Sequence, residues 1–147
     1  MKARMLFVLV IAMLGVGPVW ARDSVLHLPA DLVLDESYSG GHLDGSVRFY
    51  LSGQRTPAVL ETLGEAITNR KTNGVGKSDE ESCQWVMLSA LVALQQAAKA
   101  RGANAVIGIT SYYKKREYSD PEKFECHAGN IMSGVALRGT YAKVADR

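Results

Sequence analysis

Three short stretches combine residue types that could do chemistry. Gly74-Val75-Gly76-Lys77-Ser78 has the form of the end of a phosphate-binding P-loop, in which glycine amides wrap the phosphates and Lys and Ser reach phosphate and magnesium. The complete pattern puts a glycine five residues before Gly76; that position is Lys71, and no apolar strand ends in a Walker-B aspartate. Ser78 reads better as a helix cap, so ATP binding and hydrolysis are not expected. Cys126-His127, with Cys83, His27 and His42, offers the ligand types of a metal site. A closed zinc site wants four ligands in paired spacing, and no CxxC or HxxxH occurs; copper or transient zinc binding is the metal reading left open. The same Cys126-His127 pair could be a thiolate nucleophile and its base. Adjacent strand residues point to opposite faces, however, and no third residue orients the pair. Finally, Tyr112-Tyr113-Lys114-Lys115-Arg116 mixes aromatic and basic groups, as single-strand nucleic-acid binders do. Glu117, Asp120 and Glu122 partly neutralise it. The plain reading is a solvated strand end; the functional one is a patch for an acidic envelope component, a lipid head group or a protein partner. No catalytic, cofactor-binding or metal residue is therefore assigned, and no cofactor.

The chain that must position these groups begins as a secretory leader does. Lys2 and Arg4 give the positive start, Leu6 to Leu14 the apolar run, and Val19-Trp20-Ala21 the cleavage site. The apolar run is shorter than the ~20 residues of a spanning helix, and no second one follows, so no stable membrane anchor is expected. Cleavage between Ala21 and Arg22 would place the protein in the periplasm. Of the 17 Lys and Arg, Lys2 and Arg4 leave with residues 1–21, so 15 bases face 15 acids in the mature chain. A neutral chain lacks the electrostatic footprint of a nucleic-acid binder.

Residues 22–46 read as an extended or irregular N-terminal arm, and 47–147 as a single α+β domain. Val47 to Leu51 is rich in aromatic and β-branched residues and reads as a strand. Leu63 to Thr68 is a second strand, with a bulge or close backbone contact at Gly64, and Asn69 to Lys77 a polar loop. Ser78-Asp79-Glu80-Glu81 is a capping box that opens a helix over about 79–101, with Gly102 closing it. Cys83, Met87, Ala90, Leu91, Leu94 and Ala98 form its apolar face. Ala103 to Tyr113 reads as a buried strand, Lys114 to Lys123 as a hairpin connection, and Met132 to Val144 as the last strand. The expected fold is one helix on a mostly antiparallel sheet of about four strands.

Ala100 to Ile109, with its Arg-Gly-Ala-Asn-Ala-Val turn, resembles the YbjQ-like family, as does Gly134 to Tyr141 against that family's closing strand. The resemblance covers about residues 63–144. It implies a small α+β domain, in some members assembled into homo-oligomeric rings. The chain also resembles the periplasmic domain of the RcsF-like family of stress-sensing outer-membrane lipoproteins. That family bonds a cysteine near the helix start to one before the last strand, which here implies a Cys83–Cys126 bridge. Such a bridge would close a loop of roughly forty residues and contribute up to ~4 kcal/mol. Ser111 and Met132 stand where that family has a second bonded pair, and its lipid-bearing cysteine is absent. Over its whole length the chain resembles exported proteobacterial proteins that carry the description excinuclease ATPase subunit, which the Lys71 argument contradicts. These readings lead to a non-enzymatic periplasmic binding or interaction module in envelope maintenance or stress response, its partner an unidentified envelope protein or ligand. An oligomeric carrier of a small molecule or metal comes second, and a hydrolase with a cysteine nucleophile third.

Overall fold

The last strand, β6 (Met132–Val144), is the axis of the molecule, and its sequence shows why: it is small or apolar over most of its length and buried from Ser133 to Leu137. Such continuous burial is what a strand covered on both faces requires. A computed structural model describes residues 15–18 and 21–146. Lys2, Arg4, Leu6–Leu14, Val19 and Trp20, read from the sequence as parts of a leader, lie outside the described residues.

In chain order the elements are β1 (Ser24–Pro29), the short helices α1 (Asp31–Leu34) and α2 (Glu36–Ser39), β2 (Arg48–Leu51), β3 (Val59–Asn73), α3 (Asp79–Ala100), β4 (Ala105–Ser111), a 3₁₀ turn (Tyr113–Lys115), β5 (Lys123–Ala128) and β6. The six strands make one sheet in the order β1-β5-β6-β4-β2, with β3 on the other edge of β6. β6 therefore forks. Its first residues pair with β5, its later ones with β4, and the Tyr112 amide bonds to the Ala136 carbonyl (2.9 Å) where the two diverge.

The α+β class stands, but the expected sheet is corrected. It has six strands rather than about four, and it is mixed, because β2 runs parallel to β4. The additional strands are β1 and β5. Within β5 only Cys126 and His127 read as strand residues, without bounds for the strand, and β1 lies in the region read as an arm. That region is not an independent arm: β1 pairs antiparallel with β5, and Ala30 and Val33 are buried in the main core. Asp35, whose side chain accepts from the Ser37 amide, starts α2 inside the stretch read as irregular. β3 also runs further than Leu63–Thr68, through Asn69–Asn73, because those polar residues lie on the exposed half of a long edge strand. Its register shifts between Thr62 and Glu65, around Gly64 (φ +105), where the bulge was expected.

α3 covers one face of the sheet. Ser78 accepts from the Glu81 amide (3.1 Å) at its start. At its end Gly102 (φ +71) turns the chain while Ala103 and Gly102 donate to Ala98 and Lys99, the 6→1 and 5→2 pair of a Schellman motif. Cys83, Met87, Ala90, Leu91, Leu94 and Ala98 are all buried against Val106, Ile109, Phe124, Val135, Leu137 and Tyr141. Cys83, in the first turn, meets Cys126 on β5 at bonding distance, with Cα atoms 5.8 Å apart, within the roughly 4.4–6.8 Å that a bridge needs. Among the described residues, no helix is long and apolar enough to cross a membrane.

Candidate functional site

Strand periodicity sorts β5 into two faces. Phe124, Cys126 and Ala128 point to α3 and the core, so Glu125 and His127 point the other way. β1 lies beside it in a register that sets His27 opposite Glu125 and Val25 opposite His127. A chain of polar contacts results. His127 Nε2 meets Glu125 Oε1 at 2.8 Å, and His27 Nε2 meets the other oxygen, Oε2, at 3.0 Å. His127 Nδ1 meets Asp23 Oδ1 at 3.1 Å. Each imidazole is covered by a tyrosine: Tyr113 stacks on His127 at 3.9 Å between centroids, and Tyr118 on His27 at 4.0 Å. The His127 side chain is only 5% exposed and that of Glu125 14%, whereas His27 stands half open. Burial alone would raise the Glu125 carboxyl pKa, but hydrogen bonds from His127 and His27 outweigh it and leave it below the ordinary carboxylate range.

The roof over this ladder is the connection from β4 to β5. Ser111 and Tyr118 exchange backbone hydrogen bonds (2.9 and 2.8 Å) and close the connection at its base. Ser111 Oγ accepts from the Glu125 amide (2.8 Å), which ties the roof to β5. Between these anchors Lys114 (φ 51) and Lys115 (φ 61) both have left-handed backbones, a conformation that strains residues with a Cβ and persists only where surroundings enforce it. The enforcement is visible. Tyr113 is held on His127, and the ring packs closely on Gly134, where a Cβ would lie 3.1 Å from Tyr113 Cε2. Tyr112 is held in turn by the Arg138 guanidinium, 5.0 Å from its ring centroid. The turn presents Lys114, Lys115 and Arg116 to solvent, Lys114 lying over the Tyr113 ring. Beside it opens a cleft of about 240 Å³ between Arg22, Asp23, Lys71, Tyr113, Lys114, His127 and Met132. Arg22 is fixed at its wall by two bonds to Asp79 (2.9 and 3.0 Å) and one to the Gly129 carbonyl (2.8 Å).

The residues singled out from the sequence are thus partly gathered. Tyr112 to Arg116, His127 and His27 share one face; Ala21 and Arg22 border the cleft. Cys83 and Cys126 are bonded on the opposite, core-facing side of β5, so Cys126 offers no free thiolate to His127. His42 lies in the loop after α2, where its carbonyl accepts from Gln95 (3.0 Å). Among the described residues, no three His, Cys, Asp or Glu side chains are grouped as a metal would require. The glycine loop before α3 is closed on itself: Gly74 donates to Ile131, Val75 to the Asn73 side chain, Lys77 N to Gly74 and Lys77 Nζ to the Asn73 carbonyl. The amides of Gly74, Val75 and Lys77 and the Lys77 ammonium are thus already engaged within the protein.

Glu125, Asp23 and Tyr118 belong to this candidate site, and none of them was singled out in the sequence. The signal present was alternation, Phe-Glu-Cys-His-Ala in β5 and Val-Leu-His-Leu in β1; the register that joins the two strands was not legible. A second, larger cleft of about 530 Å³ lies along β2, between Leu34, Leu43, Val47, Phe49, Asp44 and Arg48. There the Lys99 ammonium and then Ser46 hold the Asp44 carboxyl well below the usual carboxylate range. No family model matches the chain, and no curated protein matches it.

Proposed function

We propose that this chain is an exported, non-enzymatic binding module of the bacterial envelope, serving envelope maintenance or stress response. Its recognition surface is the Tyr112–Arg116 turn, and its partner is acidic. The observation that supports this reading is the pair of consecutive left-handed lysines, Lys114 and Lys115, that follows Tyr113, itself stacked on His127 with the Lys114 ammonium over its ring. Strain of this kind is retained where a surface must be presented rigidly, and Tyr and Arg are the residues that most often dominate binding surfaces. The bridge between Cys83 and Cys126 agrees with an oxidising compartment, as do the leader-like first residues.

A photo-crosslinking side chain at Arg116 in the exported protein tests the surface. Adducts are expected in the parent chain and should disappear when Lys114 and Lys115 are both changed to Glu. Identical adducts in both would overturn the reading. Export is checked separately by intact mass: the periplasmic protein should begin at Arg22, and full-length chain in the membrane pellet would contradict it.

A further inference from the structure

The loop before α3 and the turn between β5 and β6 meet at one end of the molecule, where the Gly74 amide donates to the Ile131 carbonyl (2.9 Å). Their tips are apolar and open: Val75 is 62% exposed, Ile131 63% and Met132 45%. Val75 and Ile131 at the two loop tips, and Met132 at the start of β6, place three exposed large apolar side chains at one end of the molecule. Met132 also lines the cleft beside Tyr113, so the apolar tip runs directly into the Lys71 and Lys114 side of that cleft. The two lysines have no carboxylate partner among the described residues. Asp23, the one acid lining the cleft, is engaged by His127, and Asp79 is engaged by Arg22. Glu80 and Glu81, the other acids in the first turn of α3, are not among the cleft's lining residues. Apolar tips beside uncompensated lysines match the layering of a membrane surface, acyl chains beneath anionic head groups.

From this juxtaposition we infer that this end of the molecule docks reversibly on a bilayer carrying anionic phospholipid. Val75, Ile131 and Met132 enter the head-group boundary, and Lys71 and Lys114 meet the phosphates. The inference rests on the acidic-partner reading above and gives that partner a chemical class. An acidic protein would use the lysines but would leave the exposed apolar tips without a role.

Sedimentation of the exported protein with vesicles tests it. Binding is expected to phosphatidylglycerol–phosphatidylcholine vesicles and not to pure phosphatidylcholine. Lys71→Gln with Lys114→Gln should weaken it about 25-fold, at roughly fivefold per lysine near the surface. Val75→Ser with Ile131→Ser should weaken it about tenfold or more, with the circular dichroism spectrum unchanged because both side chains are exposed loop positions. Salt near 1 M, where screening acts within about 3 Å, should remove the lysine contribution. No preference for the anionic vesicles, or full binding by both double variants, would overturn the docking. If vesicles do not bind while Arg116 adducts persist and depend on Lys114 and Lys115, the partner is an acidic protein: the docking falls and the binding-module reading stands. If the adducts are also indifferent to those lysines, both fall.

Discussion

Glu125 binds two histidines at once, and its carboxylate form is the one that both contacts favour. Because its pKa is lower folded than unfolded, its contribution to stability is present above the unfolded carboxylate value, about 4.3, and is lost as pH falls through the lower folded value. Glu125→Gln should lower stability by about 1–3 kcal/mol at neutral pH and should lose less on acidification than the parent chain. Urea melts at pH 6 and pH 3 check this; an equal acid loss in both would contradict it. At Gly134 the argument is steric. Gly134→Ala brings a methyl group to 3.1 Å from Tyr113 Cε2, so the ring should tilt off His127 at a cost of about 1–2 kcal/mol. The upfield ring-current shift on His127 protons should shrink with it. Neither residue stood out in the sequence. A glutamate between Phe and Cys reads as the solvent side of any strand, and its meaning comes from a partner strand about a hundred residues earlier.

Elements were legible where their signals are local. α3 carries its own instructions: Ser78 to start, a 3.6-period apolar face, and Gly102 to stop, all within contacts of a few residues. Ser78→Ala should therefore destabilise the protein by about 1 kcal/mol and Ser78→Asp should not, as thermal unfolding would report. β6 was legible because its continuously buried part, Ser133 to Leu137, holds only small or apolar residues. β5 was legible only at Cys126 and His127, since Lys123 and Glu125 dilute a six-residue strand whose bounds are set by β1 and β6. The polar end of β3 failed as a strand signal for a related reason: it pairs only on one edge and faces water, so nothing required apolar residues there. Charge and polarity on such an edge also discourage pairing with foreign strands.

On the scale of the whole molecule, the Cys83–Cys126 bridge fastens the start of α3 to β5 across 43 residues of sequence. Cys83→Ser should lower stability by about 2–5 kcal/mol, measured by denaturant unfolding under non-reducing conditions. Two freely titrating thiols in the unreduced, unfolded protein would contradict the bridge. The pairing of β1 with β5 has a consequence in time. Ser24 is partnered by Ala128, 104 positions later, so β1 has no neighbouring strand until about a hundred further residues have been made. At about 5–20 residues per second, β1 waits roughly 5–20 s for its partner. Through that interval Val25 and His27 remain an unpaired stretch of chain, so the Glu125 ladder can close only at the end of folding.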